Sequence, residues 1–408
     1  MKTLHTDSAA AAAGTLRAGG LCAVPTETVY GLAANGLSAE AVEKIYAVKG
    51  RPESKPLSLL VAGAEALRRW GRELPPAAEA LAEAFWPGPL TLVVRAKPEI
   101  PSVVRAGGET VGLRCPDHPL MLELLRELPF PLAAPSANPS GAPSPVTARQ
   151  VLDYFDGRID CVLDGGECGL GRASTVLDLT QTPYRVLRQG ALPASEIREA
   201  LRESLIVIGL TGGTGGGKTT ALREVRARGG LVLDCDEIYH ELLKTSETLL
   251  GELRAEYPEA FESGAFDRKA LGRIVFQDEK KLKRLNEITH RHVAEAVKAA
   301  LTDYAMSGGT LAAVDAIALI ESGIAALCTT VVGVLAPEEA RIERLMAREG
   351  ISREYAKLRI DAQKPDSFFR ENCDILLVND GTKEDFARKC EETVSNILTE
   401  AKRRNRHE

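Results

Sequence analysis

Leu205-Ile206-Val207-Ile208-Gly209-Leu210-Thr211-Gly212-Gly213-Thr214-Gly215-Gly216-Gly217-Lys218-Thr219 is an apolar run that breaks into a glycine-rich loop closed by a lysine and a threonine. The apolar run predicts a buried strand. The loop satisfies G-x-x-x-x-G-K-[ST], and a helical stretch is predicted to follow from near Thr220, which is the context this motif requires. Glycines let the backbone curl so that its N–H groups surround a phosphate, and the following helix N-terminus adds positive potential. Gly213, Thr214, Gly215, Gly216, Gly217, Lys218, Thr219 and Thr220 are therefore the expected ATP-binding residues. Lys218 would reach the β- and γ-phosphates, and the Thr219 hydroxyl would ligate Mg²⁺.

The chain beyond the loop alternates strand and helix. Apolar strand candidates at 231–233, 311–314, 331–335 and 375–378 are separated by segments that include amphipathic stretches at 284–301 and 337–348. Such alternation predicts a parallel, doubly wound α/β sheet, whose strand C-termini face the ligand crevice. Asp234 and Asp236 fall at the end of the second strand. One of them can take a proton from an acceptor hydroxyl while the other supports Mg²⁺-bound water, with Asp236 the candidate base. A helix N-cap would readily account for one of the pair, but the functional reading is preferred. Arg341, Arg344 and Arg348 stand at i, i+3 and i+7 on one helix face, with Arg359 and Gln363 at similar spacing beyond. Alone this is a solvated face. Beside a phosphate loop it predicts a mobile helical lid in which Arg344 and Arg348 neutralise charge on the transferring phosphoryl group.

A chain of 408 residues exceeds the size at which single cores stop growing, so two domains are expected. The boundary falls between 203 and 204, because 193–201 read as a capped helix with one apolar stripe and the next strand begins at Leu205. Acidic residues outnumber basic ones, 57 to 51, so stable nucleic-acid binding is not expected. The Lys402-Arg403-Arg404-Asn405-Arg406 run reads as a solvated tail. The eight cysteines contain no C-x-x-C pair, which predicts buried free thiols in a reducing compartment. No apolar stretch approaches the roughly 18 residues of a membrane span. The alanine run 9–13 reads as the first helix of the fold instead of a signal peptide. A cytoplasmic protein with no membrane partner is the expectation.

The front half mixes strand candidates at 21–24, 57–61, 90–95, 111–114 and 161–163 with Gly- and Pro-rich connections, which predicts a twisted mixed sheet carrying helices. Its polar turns are individually weak signals. Pro25-Thr26-Glu27-Thr28-Val29-Tyr30-Gly31-Leu32 is a hydroxyl-rich turn. Lys49-Gly50-Arg51-Pro52 closes a helical stretch, where two cations suit the helix dipole. Ser136-Ala137-Asn138-Pro139 is another turn, and Ser174-Thr175-Val176 opens a strand.

In this order the front-half turns resemble the threonylcarbamoyl-AMP synthase (YrdC-like) family over residues 5–200. Lys49 and Arg51 correspond to its K-x-R signature, Ser136 and Asn138 to its S-x-N signature, and 25–32 to its threonine-binding loop. Arg114 and Arg188 fall where family arginines line the pocket. The resemblance implies synthesis of threonylcarbamoyl-adenylate from L-threonine, bicarbonate and ATP, feeding tRNA modification through carrier proteins, in a short form of the family. Lys49 and Arg51 would be catalytic, holding the triphosphate together with Arg188. Thr28, Arg114, Ser136, Asn138 and Ser174 would bind the nucleotide and the amino acid.

Residues 205–400 resemble the dephospho-CoA kinase family. The resemblance is carried by Gly209-Leu210-Thr211-Gly212-Gly213, Leu233-Asp234-Cys235-Asp236, Leu285-Asn286-Glu287-Ile288-Thr289-His290, Arg344-Leu345-Met346-Ala347-Arg348 and Asn379-Asp380-Gly381. It implies transfer of phosphate from ATP to the 3′-hydroxyl of dephospho-CoA. Two departures bear on the acceptor site: Arg291 replaces the family's proline after the histidine, and 316–318 replace its proline-leucine-leucine turn. A front half that only binds nucleotide or RNA stays open as an alternative. A P-loop nucleotide switch is disfavoured, because the acidic pair and the arginine face would have no role in one.

Overall fold

The structure, a computed structural model, describes residues 2–262 and 264–407. It divides into two compact units, one running to Ser204 and including Met306–Gly308, the other formed by Leu205–Ala305 and the residues from Gly309 onward.

The second unit is built on five parallel strands in the spatial order Leu231–Asp234, Leu311–Asp315, Ile206–Thr211, Thr330–Leu335 and Ile375–Val378. The strand that feeds the glycine loop is central. From Val207 to Thr211 every residue is buried, as a strand covered on both faces requires. The helix Lys218–Ala227 and the long helix Lys383–His407 cover one face, with Ala221, Leu222, Val225, Phe386, Cys390 and Val394 in the shared core. A separate helical cluster lies, in sequence, between the strands Leu231–Asp234 and Leu311–Asp315. It gathers Leu249, Leu253, Tyr257, Leu271 and Ile288 from the helices Glu247–Glu256, Arg268–Val275 and Glu279–Met306. The basic run near the C-terminus continues the last helix, and its side chains other than Arg403 lie outside the described residues.

The first unit carries a mixed sheet of eleven strands. Its middle runs Cys22–Val24, Gly31–Asn35, Leu132–Ala133, Ser58–Leu60, Thr110–Arg114, Leu90–Ala96 and Thr175–Asp178, with both parallel and antiparallel neighbours. The helix Ala9–Arg17 is capped by the Ser8 hydroxyl, which accepts from Ala11 N at 3.3 Å, and buries Ala12, Ala13 and Leu16. The helix Ala39–Lys49 stops at Gly50, whose φ of 57° is the left-handed conformation glycine adopts without strain.

The structure corrects several sequence expectations. Gly31 and Leu32, read as the end of a hydroxyl-rich turn, open a core strand, Gly31–Asn35, that pairs antiparallel with Cys22–Val24. The first helix after the glycine loop starts at Lys218, not near Thr220. The helix Ala194–Glu203 has no side-chain cap, because proline occupies the N-cap position.

Candidate active sites

The glycine loop leaves the strand at Thr211 and enters the helix at Lys218. Gly212 has φ 126° and Gly217 φ 114°; a Cβ at Gly212 would lie 2.2 Å from Val334 O, and one at Gly217 2.5 Å from Asn379 Nδ2. No other residue fits either position. The carbonyls of the loop are held by donors. Gly212 O accepts from Lys218 Nζ (3.2 Å), Gly213 O from Gly216 N (3.1 Å), and Thr214 O from Arg341 Nε (3.0 Å). Gly215 O accepts from Arg344 Nη1 (3.0 Å), and Gly216 O from Asn379 Nδ2 (2.8 Å). These bonds fix the shape of the loop around the N-terminus of the helix Lys218–Ala227, whose positive potential favours an anion.

The loop encloses a cavity of about 360 Å³ lined by residues 213–219. Thr220 lies outside this lining, and its N–H donates to Gly217 O at 3.0 Å within the first helical turn. Thr214 lines the cavity but its polar groups are engaged elsewhere. Its N–H donates to Gln363 Oε1 (2.9 Å) and its hydroxyl accepts from Gln363 Nε2 (2.5 Å).

Asp234, Asp236, Arg344 and Arg348 all line the same cavity, joined by Arg359. Asp234 caps the helix Cys235–Thr245, with Oδ1 accepting from Asp236 N (2.9 Å) and Glu237 N (3.1 Å). Asp236 is on the first turn of that helix and also lines an adjoining cavity of about 230 Å³, together with Tyr239, Asn286, His290 and Val293. Of the two departures, Ala316, Ile317 and Ala318 line this second cavity. Arg291 does not, and pairs with Glu252 instead. Arg341, part of the arginine face, is buried against Thr214 and Gln363 and does not line the phosphate cavity.

Sequence reasoning did not assign a role to Asp315. It ends the strand beside the loop, 3.5 Å from Lys218 Nζ, and its buried Oδ1 has no hydrogen-bond partner. Burial raises its carboxyl above the ordinary range, Lys218 opposes that, and Asp234 and Asp236 add to it. Its position at a strand end next to the motif was the available signal. Among the described residues no group of three or more His, Cys, Asp or Glu side chains forms a metal cage. Mg²⁺ is held through few protein oxygens plus phosphates. The Thr219 hydroxyl and the Asp315 carboxylate, whose Oδ1 accepts no hydrogen bond, fit that requirement.

The front-half site is a cavity of about 370 Å³ on the mixed sheet. Thr28, Arg51, Arg114, Ser136, Ser174 and Arg188 all line it. Arg51 donates to the carbonyls of Lys55 (3.3 Å) and Pro56 (3.0 Å), and Arg188 to Ser174 O (2.8 Å) and Oγ (3.1 Å). Burial lowers the pKa of Arg188, helped by Arg114 and Arg51, so the cations share one field.

Lys49 and Asn138 do not line the cavity. Lys49 is 4% exposed, and its ammonium donates to Ser136 O (2.5 Å) and to Asn138 O. Burial, with Arg51 nearby, pushes it down to about 8. Asn138 donates to Pro139 O (2.9 Å) and Ala142 O (2.6 Å) and accepts from Ser136 Oγ (2.5 Å). These two residues set the Ser136 turn, a role their sequence positions did not reveal.

A glycine loop at the C-terminal end of the central strand, with acids at two neighbouring strand ends, defines the second unit as a P-loop domain of the nucleotide-kinase class. A family profile described as dephospho-CoA kinase matches residues 206–385, and one described as telomere recombination (Sua5, YciO and YrdC) matches residues 14–190. A dephospho-CoA kinase of Thermobifida fusca is 34% identical over 202 residues, covering 49% of this chain and 98% of that protein. The threonylcarbamoyl-AMP synthase of Pyrococcus abyssi is 48% identical over 192 residues, 47% of this chain and 56% of that protein. A Mycobacterium tuberculosis protein provisionally named for the same activity is 38% identical over 190 residues, 87% of its length. The chain spans about half the length of the threonylcarbamoyl-AMP synthases of Pyrococcus abyssi, Bacillus subtilis and Schizosaccharomyces pombe. It belongs to both families: its back half to the dephospho-CoA kinases and its front half to the threonylcarbamoyl-AMP synthases.

Proposed function

We propose that the chain is a bifunctional cytoplasmic enzyme with two independent ATP sites, on domains spanning residues 1–203 and 204–408. The back half transfers the γ-phosphoryl group of ATP to the 3′-hydroxyl of dephospho-CoA. The observation that carries this reading is that Asp236 lines both the phosphate cavity and the neighbouring one, where an acceptor hydroxyl would meet the phosphoryl group. Asp236 takes the hydroxyl proton, the loop, the helix N-terminus behind it and Lys218 hold the phosphates, and Arg344 and Arg348 offset charge as the bond to the leaving ADP breaks. Bound Mg²⁺ would supply further charge neutralisation, held by Thr219 and Asp315.

The front half makes L-threonylcarbamoyladenylate from L-threonine, bicarbonate and ATP, with release of pyrophosphate, and passes it to a tRNA-modifying carrier protein. Arg51 and Arg188 hold the triphosphate, and Thr28, Ser136 and Ser174 supply hydroxyls around the amino acid and nucleotide. No nucleophilic side chain is required, because the bound substrates react with one another once oriented.

The test is a paired product assay on the intact chain. Lys218→Ala should abolish dephospho-CoA-dependent ADP formation and leave threonine- and bicarbonate-dependent pyrophosphate release intact; Arg51→Ala should do the reverse. Loss of both activities in either variant would overturn the two-site reading. Wild-type chain that releases no pyrophosphate would leave the front half a binding module.

A further inference from the structure

Gly213 stands at a position where the motif G-x-x-x-x-G-K-[ST] accepts any residue, yet the fold leaves room there only for glycine. A Cβ on Gly213 would lie 2.1 Å from Arg341 Nη2. Moving that guanidinium aside would break two hydrogen bonds. Arg341 is 7% exposed, and it donates from Nε to Thr214 O at 3.0 Å and from Nη2 to Gln363 Oε1 at 2.8 Å. A buried guanidinium needs acceptors, and these two oxygens supply them.

Gln363 closes the arrangement. Its Oε1 also accepts from Thr214 N at 2.9 Å. Both partners of this oxygen can only donate, so the amide nitrogen must face the Thr214 hydroxyl, to which it donates at 2.5 Å. The N–H, carbonyl and hydroxyl of Thr214 are thereby all held by two side chains. Arg341 comes from the helix Glu338–Glu349, and Gln363 follows the helix Arg353–Asp361. Ile342, Leu345, Ala356 and Ile360 pack these two helices on one another in a small cluster of their own. The same hairpin brings Arg344, Arg348 and Arg359 to the phosphate cavity, whereas Arg341 and Gln363 stay outside its lining.

We infer that Gln363 is a positioning residue that ties this helical hairpin to Thr214, so that the phosphates of the nucleotide meet a loop already held in its binding shape. It does so without touching the transferring group. Its effect passes through Thr214 and Arg341, and it preorganises the loop at the expense of the hairpin's freedom instead of the nucleotide's affinity. The inference rests on the phosphoryl-transfer reading of the back half.

The test uses the full chain, with dephospho-CoA-dependent ADP formation as readout and inorganic tripolyphosphate as an inhibitor competing with ATP. Arg341 and Gln363 also line a separate cavity of about 650 Å³, so a probe without a nucleoside is needed to isolate the loop. Gln363→Leu should raise the KM for ATP and the inhibition constant of tripolyphosphate together, each about tenfold, through lost hydrogen bonds to buried groups. The KM for dephospho-CoA should stay within about twofold. Gln363→Glu keeps an oxygen facing Thr214 N and Arg341 and lets the Thr214 hydroxyl donate to the other, so both constants should return to within about threefold of wild type. Thr214→Val removes the hydroxyl contact alone and should raise both constants about threefold. On the Gln363→Leu background it should add nothing, because the contact is already gone. Its single-variant result decides the inference if the leucine variant does not fold. Unchanged constants in Gln363→Leu, or additive effects of the two substitutions, overturn the inference. So does a raised KM for ATP with unchanged tripolyphosphate inhibition, which would place Gln363 at the nucleoside. Wild-type chain that forms no ADP with dephospho-CoA overturns the kinase reading instead. The tripolyphosphate binding that Lys218→Ala removes, measured by calorimetry, then carries the same comparison, which separates the two failures.

Discussion

In the back half one contiguous loop, residues 213–219, forms much of the wall around the phosphate cavity, whereas in the front half the wall is drawn from Thr28, Arg51, Ser136, Ser174 and Arg188 on separate segments of a mixed sheet. The loop would bind with main-chain N–H groups whose orientation is set by glycine dihedrals and by donors to its carbonyls. The front site would bind with side chains whose orientation is set by neighbouring turns, as Lys49 and Asn138 set Ser136. Substitutions should therefore act differently. In the back half the sensitive positions are glycines and the groups that do chemistry. In the front half, residues outside the cavity should matter nearly as much as those lining it.

The largest effect expected from this contrast is at Asp236. Asp236→Asn keeps the shape of the side chain and removes the base, and should lower kcat for phosphoryl transfer by about 10² to 10⁴-fold with little change in the KM for ATP. Steady-state kinetics with dephospho-CoA as acceptor checks this. A loss below tenfold would move the acceptor chemistry away from the shared wall of the two cavities. Threonine-dependent pyrophosphate release by the same variant should be unchanged.

The next effect is smaller and belongs to the front half. Lys49 titrates near 8 because burial disfavours its ammonium. Raising the pH through that value removes the positive charge that strengthens its hydrogen bonds to the carbonyls of Ser136 and Asn138. Threonine-dependent pyrophosphate release should fall about tenfold per pH unit above 8. The stability sign is the opposite. The folded-state pKa lies below the unfolded value, so protonation costs the folded state free energy, and that cost shrinks as pH rises from 8 toward the unfolded pKa. Activity should therefore fall without a loss of stability from this group. Lys49→Met should have low activity that no longer varies across pH 7 to 9, and melting curves at each pH complete the check.

The two sites also differ in how much of each could be read before folding. The glycine loop was legible because its spacing is a local requirement of backbone geometry, and so was the parallel sheet, whose buried strands are continuous apolar runs. Asp236 was legible for the same local reason, as a carboxylate after a strand. Asp315 went unassigned because its importance comes from lying 3.5 Å from Lys218, a contact between residues distant in sequence. Lys49 shows the limit of a motif. Its position was singled out, but whether the ammonium faces a ligand or two carbonyls depends on where the Ser136 turn packs. Gly31–Asn35 hid as a strand because glycine, alanine and asparagine carry little β-propensity, and its pairing with Cys22–Val24 is a tertiary decision.

Asp234 gives the smallest effect and the sharpest distinction between chemistry and scaffolding within one site. It lines the phosphate cavity, yet its Oδ1 accepts two backbone N–H groups at the start of the helix that carries Asp236. Asparagine caps a helix about as well as aspartate, whereas alanine does not. Asp234→Ala should lose about 1 kcal/mol of stability by denaturant or thermal unfolding of the back half. Asp234→Asn should stay within about 0.5 kcal/mol of wild type. If capping is the main role of Asp234, phosphoryl transfer in the asparagine variant should remain within about tenfold of wild type, because Asp236 is still presented on an intact first turn. A hundredfold loss at unchanged stability would instead give the carboxylate charge of Asp234 a direct part in the reaction, and the two acids would then share the work that the geometry divides between them.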